Sequence, residues 1–397
     1  RITDVRPPRG IHLSTLHPHP NNGKFRAREH SARMIDITVS GTHREIGFAV
    51  GHQAAKQVAG SIAFYRYFFK DFSGLEWSTV QVKTREFVPH LKAKFPSYYE
   101  EIEGIAEGAA VDVLDVVALN IRSEIAFGFF ETEPTRPTST TSVEMAVDGC
   151  TALGWKTPGG STFLSQNWDW KNEQKPNLII VRAKPHGGPG IDLPAFQMIT
   201  EAGIIGKIGF NEHGVGCLLN GIRAKGVNSE RMPTHFALRT ILESRSKREA
   251  LEKIKSVGLA GSSHILLGDH SGPTGLECTS IGFRELPADE NGRVVHANNL
   301  ILDHEGVLEP LWLVDSPKRT ARMRELATLD VGENAGFKSL LELFKDEQNF
   351  PSSINRKQIG KNDSGTLFNV VFDLTERKGI ISIGRTTEIE EQIEIGF

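Results

Sequence analysis

The sequence around one cysteine reads Val147-Asp148-Gly149-Cys150-Thr151-Ala152-Leu153, and Ser165-Gln166-Asn167-Trp168-Asp169-Trp170 follows shortly after it. Because Gly149 has no side chain, its backbone can adopt strained dihedrals and its carbonyl can be approached closely. Cys150 places a soft nucleophile next to that carbonyl. This arrangement suits a chain that cuts itself: the thiol attacks the preceding carbonyl, an N-to-S acyl shift forms a thioester, and water releases a new N-terminal cysteine.

The new amine would give Cys150 a base of its own. A free α-amine has a reference pKa of ~8, so it can accept the thiol proton and activate the nucleophile. The alternative interpretation is structural, because most Gly-Cys pairs are ordinary strand entries and a free cysteine is usually a small buried hydrophobe. The dipeptide alone favours that alternative, so the rest of the chain has to decide.

Composition excludes several classes of protein. The 397 residues, 39% hydrophobic and 24% charged, are ordinary for a soluble globular chain with a large core. A net charge of −3 argues against nucleic acid or an anionic membrane as a partner, and no apolar run approaches the length of a membrane span. Three scattered cysteines, Cys150, Cys217 and Cys278, are too few for a disulfide framework and indicate a reducing compartment.

We therefore expect a cytoplasmic location. The chain ends Ile395-Gly396-Phe397, unlike a Ser-Lys-Leu peroxisomal signal, although a peroxisomal location stays open as an alternative. The sequence begins with Arg1 rather than Met, which also leaves open a cleaved targeting segment. Neither His-Glu-x-x-His nor Cys-x-x-Cys occurs, so we expect no metal site and no cofactor.

The first part of the chain is mostly helical. Residues 1–30, rich in Pro, His, Arg and Asn, predict an extended arm. Residues 31–149 open with a half-buried strand at Met34–Val39 and continue with helices. We predict helices over 44–69 and 79–94, a third that starts with a capping box at Ser97, and a fourth that Asp112 caps. Residues 131–143, rich in Thr, Ser and Pro, predict a surface linker just before Cys150.

Residues 150–397 change to short strands with Gly-rich turns. A helical pair is predicted at 233–244 and 246–257, and a hairpin is predicted from strands at 366–374 and 379–383. Strands that flank helical blocks indicate two sheets packed together and covered by helices, an α+β architecture. Cys217 and Cys278 are predicted to be core residues, and the acidic residues of 388–394 a solvated edge.

Several runs of sequence then occur in a recognisable order: Gly41–Gly47 with Gly51-His52, Tyr98–Ala106, Leu119-Asn120 with Arg122 and Glu124, Asp148–Thr151, Gln166–Asp169, Thr200–Lys207, Gly275–Glu277, Asn291–Asn298 and Thr366–Asn369. On these runs the chain resembles the fungal acyl-coenzyme A:isopenicillin N acyltransferases and their relatives. That family is a branch of the N-terminal-nucleophile (Ntn) hydrolases. The resemblance covers most of the chain after residue 34, and it overrides the structural interpretation of Gly149-Cys150.

The resemblance implies a four-layer αββα sandwich that cleaves itself before Cys150. The products would be an α chain, 1–149, and a β chain, 150–397, which stay associated. Cys150 would be the nucleophile and its amine the base, while Asp169 matches an aspartate near the new amine, where a carboxylate can hold and tune it. Asn298 matches an asparagine that donates to the oxyanion, a contact typically worth ~3 kcal/mol. The structural alternatives are a turn residue for Asp169 and a strand-end cap for Asn298.

The chain departs from the penicillin-forming enzyme at the substrate positions. A second hydroxyl residue two positions after the cysteine is replaced by Ala152, and a serine later in the chain becomes Thr279, which keeps the hydroxyl. A Ser-Arg pair becomes Asn362-Asp363. Because Asp363 would repel a carboxylate and attract a cation, we expect an amine other than the penicillin nucleus, such as an amino alcohol, a polyamine or an amino-acid derivative. Thr279, Asn362 and Asp363 are our candidate substrate-binding residues.

The predicted function is amide formation by acyl transfer. Cys150 takes an acyl group from a thioester donor, such as an acyl-coenzyme A, and a small-molecule amine resolves the acyl-enzyme; by resemblance, the setting is fungal secondary metabolism. The first alternative is an amidase or peptidase of the same fold, in which water resolves the intermediate, because partitioning depends on whether the pocket excludes water. The second alternative is an uncleaved homologue that only binds ligands.

Overall fold

The computed structural model describes residues 33–129, 149–188, 190–310, 313–360 and 364–397. The predicted arm (1–30), the predicted linker (131–143) and the pair Asn362-Asp363 lie outside the described residues. Met34–Phe397 form one compact unit. The predicted division of the chain after residues 30 and 149 stays a prediction.

One strand opens the described chain, and helices follow it up to residue 128. In β1 (Ile35–Gly41), Ile37 and Val39 are buried while Asp36 and Thr38 are exposed, as the alternation predicts. The helices within residues 33–129 are α1 (His43–Gln53), α2 (Ala55–Ser73), α3 (Trp77–Lys94), α4 (Pro96–Ala109), α5 (Val113–Asn120) and α6 (Arg122–Gly128). Of these, α6 was not predicted.

The single helix predicted over 44–69 is wrong, because the chain changes direction at Ala54, between α1 and α2. Ala54 has φ −111° and ψ 26°, which lies outside helical geometry. The direction of α1 is set by its contact with α4 instead: a Cβ on Gly47 would lie 2.0 Å from the carbonyl oxygen of Glu101, so the two backbones touch. Glycine permits that approach, and the chain begins a new helix, α2, after Ala54.

Two predicted helix starts have different outcomes. The capping box at Ser97 is wrong, because α4 starts earlier, with Pro96 in its first turn, where a missing N–H costs nothing. The cap at Asp112 is confirmed, since its Oδ1 accepts the backbone N–H of Leu114 at 2.8 Å.

The elements after residue 149 are mainly strands. The strands are β2 (Thr151–Lys156), β3 (Thr162–Trp170), β4 (Leu178–Pro185), β5 (Phe196–Glu201), β6 (Ile208–Asn211), β7 (Gly216–Gly221), β8 (Ser263–Asp269), β9 (Gly272–Cys278), β10 (Phe283–Pro287), β11 (Arg293–His296), β12 (Gly365–Asp373), β13 (Lys378–Arg385) and β14 (Glu388–Gly396). The helices are a 3-10 turn (Asn172–Asn177), α7 (Thr234–Leu242), α8 (Lys247–Val257), α9 (Ser316–Leu326), α10 (Leu329–Glu333) and α11 (Phe337–Leu343). The predicted helical pair and the predicted hairpin are thus confirmed, as α7–α8 and β12–β13.

The described strands form two sheets that pack face to face. One sheet has the order β1-β4-β5-β6-β7-β8-β9-β10, and the other β11-β2-β3-β12-β13-β14. Between them, the rings of Phe210 and Phe372 lie 5.1 Å apart. Helices α7 and α8 pack on the first sheet, and α9 and α11 on the second. The predicted αββα sandwich is therefore confirmed, while its self-cleavage remains a prediction.

The core and the edge follow the predicted polarity. Cys217 and Cys278 are fully buried, and burial raises the pKa of both thiols far above the ordinary value. The acidic stretch forms the edge strand β14, where Glu388, Glu390 and Glu394 are exposed.

Among the described helices, none is both long and apolar enough to cross a bilayer.

Candidate functional site

Cys150 lies immediately before β2, in the interior of the second sheet, with 1% of its surface exposed. The backbone N–H of Asp169 donates to its Sγ at 3.3 Å. Its carbonyl oxygen accepts from Arg319 at 2.7 Å and from the Asn220 amide at 3.3 Å. The thiol and the carbonyl are thus both held by buried donors, at the entry to a strand.

Gly149 is in close contact with an arginine. A Cβ built on Gly149 would lie 2.2 Å from Nε of Arg356, so this position can hold no side chain while the guanidinium stays in place. Backbone freedom is one reason for a glycine at this position, and the contact with Arg356 is a second, steric reason. The peptide bond before Cys150 is therefore next to a fixed positive charge.

Asp169 lies beside Cys150, as predicted. Its Oδ1 accepts from the hydroxyl of Thr366 at 2.6 Å, and its Oδ2 is 3.8 Å from Nε of Arg356. The hydroxyl of Thr366 also accepts the backbone N–H of Arg356 at 3.0 Å. Asp169 is fully buried in β3, so it is a fixed carboxylate next to the thiol rather than a turn residue.

Asn298 is brought to Cys150 through a shared partner. Arg319 donates to Oδ1 of Asn298 at 3.0 Å and to the carbonyl of Cys150. The Asn298 amide donates to the carbonyl of Gly221 at 3.1 Å. A side-chain amide nitrogen carries two hydrogens, so Asn298 can keep this bond and still donate to an oxyanion.

The predicted substrate residues are not brought to the thiol by any described contact. The hydroxyl of Thr279 donates to the carbonyl of Gly282 at 3.0 Å and accepts from its N–H at 3.1 Å, which closes the turn between β9 and β10. Asn362 and Asp363 lie outside the described residues. Their assignment to substrate binding, and the cationic acceptor inferred from Asp363, stay predictions.

Sequence reasoning missed the charged groups that hold the site together. Asp315 accepts from Nε of Arg319 at 2.7 Å and also pairs with Arg356. Burial raises the pKa of Asp315, but the two arginines outweigh it and hold that pKa below its usual value. The i,i+4 spacing of Asp315 and Arg319 was a local signal, whereas Arg356 had none.

A second buried cluster contacts Trp168. Glu201, at the end of β5, accepts from Arg122 at 2.9 Å and pairs with Lys207. Burial would raise the pKa of Glu201, but Arg122 and Lys207 lower it to about 2. The ammonium of Lys207 lies 3.7 Å from the centroid of the Trp168 ring. Glu201 and Lys207 belong to a run that carried the resemblance, yet neither was singled out.

A narrow cavity borders Gly221, the acceptor for the Asn298 amide. Its volume of about 10 Å³ has room for one water. Apolar side chains supply most of its lining, which consists of Arg122, Ser123, Phe127, Trp168, Trp170, Leu219 and Gly221. An acyl chain would enter here only if these side chains move. Across the described residues, no group of three or more His, Cys, Asp or Glu is placed to hold a metal ion.

The sandwich and the cysteine at the head of an inner strand define a protein of the Ntn-hydrolase class. The chain belongs to the acyl-coenzyme A:6-aminopenicillanic acid acyl-transferase family, which matches residues 155–388. It is 38% identical over 367 residues to the acyl-coenzyme A:6-aminopenicillanic-acid-acyltransferase 40 kDa form of Emericella nidulans, which covers 92% of this chain and 96% of that protein. The resemblance inferred from the sequence is confirmed, and the chain is a member of an enzyme family.

More distant relatives are hydrolases by name. The β-alanyl-dopamine/carcinine hydrolase of Drosophila melanogaster is 23% identical over 248 residues, 61% of this chain and 62% of that protein. Among solved structures, a variant of the conjugated bile acid hydrolase from Clostridium perfringens matches with a TM-score of 0.45 and 14% identity, over 62% of this chain and 92% of that one. Penicillin V acylase from Agrobacterium tumefaciens matches at 0.35 and 12% identity, over 62% and 86%.

Proposed function

We propose that this protein is a self-processing acyltransferase that forms an amide through an acyl-enzyme on Cys150. The donor is a thioester such as an acyl-coenzyme A, and the acceptor is a small-molecule amine. The observation that carries the proposal is the placement of Gly149-Cys150. The pair enters an inner strand, with the Cys150 thiol held by Asp169 and the preceding residue packed on Arg356.

The first stage is cleavage of the chain itself. The thiol of Cys150 attacks the carbonyl of Gly149, the bond to the Cys150 nitrogen breaks, and water hydrolyses the resulting thioester. The pieces 1–149 and 150–397 stay associated. The Arg356 guanidinium lies against Gly149, where it can stabilise negative charge on that carbonyl during the attack.

The second stage is acyl transfer. The new α-amine of Cys150 accepts the thiol proton, and the Asp169 carboxylate beside it favours the protonated amine. The thiolate takes the acyl group from the donor, and the remaining N–H of the Asn298 amide stabilises the oxyanion. The incoming amine then breaks the acyl–sulfur bond and releases the amide and the free thiol.

Hydrolysis of an amide is the second candidate, favoured by the similarity to β-alanyl-dopamine/carcinine hydrolase. It would use the same acyl-enzyme, with water in place of the amine. Mass spectrometry of the products formed from one thioester donor, with and without an amine, distinguishes the two: transfer gives the amide, whereas hydrolysis gives the free acid even when amine is in excess.

The proposal is tested by the intact masses of wild type and Cys150→Ala under denaturing conditions. We expect two chains, cut between Gly149 and Cys150, from the wild type, and one chain from the variant, with acyl transfer lower by on the order of 10³-fold or more. Cys278→Ala is a matched control, because that thiol is also buried and contacts the carbonyl of Leu276 in its own strand, and this variant should cleave normally. A wild type that is active yet uncut would overturn the mechanism.

A further inference from the structure

Glu201 pairs with two buried cationic side chains, Arg122 and Lys207. Arg122 binds Glu201 with its Nε at 3.0 Å and a terminal nitrogen at 2.9 Å. Tyr65 and Gln174 also donate to Glu201, and both are neutral donors. Lys207 is therefore a second buried cation, and among the described residues Glu201 is the only carboxylate with which it pairs.

Lys207 lies on the same side of the second sheet as the Cys150 thiol. Thr151 pairs with Asn167 in antiparallel register, and the next step of that register places Cys150 opposite Trp168. Directly opposed residues on antiparallel strands project to the same face. The Lys207 ammonium lies over the Trp168 ring, on the sheet face from which the thiol projects, and it interacts electrostatically with Cys150.

The uncut chain lacks the base that the mature enzyme would use. Before cleavage the nitrogen of Cys150 is an amide, so it cannot accept the thiol proton. We propose that Lys207 takes that proton in the uncut chain and returns it to the leaving nitrogen of Cys150. This proposal rests on the self-cleavage proposed above, and it assigns the first proton transfer to a residue far from Gly149-Cys150 in sequence.

The atoms balance over one cleavage. The proton leaves Sγ of Cys150 for the Lys207 amine, directly or through one water, and the sulfur bonds to the carbonyl carbon of Gly149. The carbon–nitrogen bond then breaks as the Lys207 ammonium protonates the nitrogen, which becomes the α-amine. Water hydrolyses the thioester to the Gly149 carboxylate and the free thiol, and Lys207 ends as it began.

The electrostatic setting supports a proton exchange near neutral pH. Burial lowers the pKa of Lys207 to about 7, opposed by Glu201 and by the Cys150 thiol and reinforced by Arg122. The other titratable groups that face the cluster stay uncharged at this pH: burial raises the pKa of Tyr65 well above its ordinary value and lowers that of His235 well below it. The group that titrates near pH 7 is then Lys207, which interacts electrostatically with Cys150.

A purely structural Lys207 makes a different prediction. In that case the ammonium only pairs with Glu201 and stacks on Trp168, and its removal lowers stability without changing how cleavage depends on pH. Arginine at position 207 would then serve as well as lysine, since both are cations. Arginine cannot lose its proton in a protein, so it cannot replace lysine as a proton acceptor.

The test follows self-cleavage of freshly translated chains by intact mass, from below to above pH 7, for wild type, Lys207→Met and Lys207→Arg. We expect the wild-type rate to rise through about pH 7 to a plateau. Both variants should be slower by ~10²–10⁴-fold, the usual contribution of a positioned base, with the rise displaced to higher pH. The chains that do cleave should turn over substrate with a smaller loss, because the new α-amine then serves as the base.

Three results would overturn the proposal: Lys207→Met cleaving at the wild-type rate, Lys207→Arg doing so, or a wild-type rate that rises only around the ordinary thiol pKa of ~8.5. The third result is measured on the wild-type protein alone, so it tests the proposal even if a variant misfolds. A wild type that never cleaves would instead remove the proposed function itself, which keeps the two failures distinct.

Discussion

Two buried charge clusters of this protein use the same kinds of group with opposite charge balance. Around Arg239, two carboxylates meet one guanidinium: Glu101 binds it in bidentate fashion at 2.8 and 2.7 Å, and Glu243 accepts from its Nε at 2.8 Å. His43 lies 2.9 Å from Glu243 and can supply a second positive charge. Around Glu201, one carboxylate meets Arg122 and Lys207.

The difference separates a structural cluster from a reactive one. The Arg239 cluster ties α1 and α4 to α7, and its acids can absorb all of its positive charge. Burial raises the pKa of Glu101, while Arg239 and His43 overcome burial at Glu243 and lower its pKa to about 2. In the Glu201 cluster two cations share one carboxylate, and like charges close together in a buried site shift pKa values.

The largest expected difference is in stability. In a Cys150→Ala background, which keeps the chain whole, Arg239→Met should lower the free energy of unfolding by ~3–5 kcal/mol, because it leaves two buried carboxylates without their cation. Lys207→Met should cost less than half as much, since Glu201 keeps Arg122. Urea unfolding measures both, and equal losses would show that Lys207 is as much a structural partner as Arg239.

The next difference concerns pH. Between the folded pKa of about 7 and the ordinary value of 10.5, the unfolded chain holds a proton on Lys207 that the folded chain lacks. The free energy of unfolding should therefore rise with pH across this window, by up to ~1.4 kcal/mol per pH unit, and lose that gain as pH falls toward 7.

The contribution of Lys207 to this pH dependence is the difference between the unfolding free energies of two variants. Urea unfolding of Cys150→Ala and of Cys150→Ala with Lys207→Met, at several pH values, isolates the contribution of Lys207. A slope that survives Lys207→Met would mean that another group titrates there.

The smallest difference compares two buried tyrosines. Tyr65→Phe removes a donor to the ionised Glu201, which should cost ~1.5–3 kcal/mol, whereas Tyr98→Phe removes a contact to Thr240 at 3.3 Å and a lesser interaction with Glu243, and should cost ~1 kcal/mol or less. Both variants keep the ring. Thermal or urea unfolding that gives the reverse order would argue that Glu201 is not ionised in the folded protein.

Local sequence patterns predicted the local structure well. The alternation in β1, the cap at Asp112 and the β12–β13 hairpin each depend on residues close together in the chain, and each is confirmed. The break at Ala54 was missed because it depends on α4, which contacts α1 across a long intervening segment. A pattern of apolar spacing carries no information about such a partner.

The residues of the candidate site also divide into those that the sequence could identify and those that it could not. Gly149 and Cys150 were found because they are adjacent in sequence, whereas Asp169 and Asn298 were supplied by the family resemblance. Arg319 binds the carbonyl of Cys150 from 169 residues away. Its i,i+4 spacing from Asp315 indicates that local pair, but not the contact with Cys150. The charges that hold Cys150 therefore emerge only when the sheets and helices are assembled.

The parallel pairing of β1 with β4 has a consequence for producing the protein in pieces. Ile35–Gly41 hydrogen-bonds to Ile179–Pro185, so a strand from before Cys150 completes a sheet built from residues after it. Residues 150–397 expressed alone would leave the β4 edge unpaired, which favours intermolecular strand pairing, and would leave Glu201 without Arg122. The segment before Cys150 is thus a folding partner of the segment after it, and we expect residues 150–397 to fold poorly when synthesised alone.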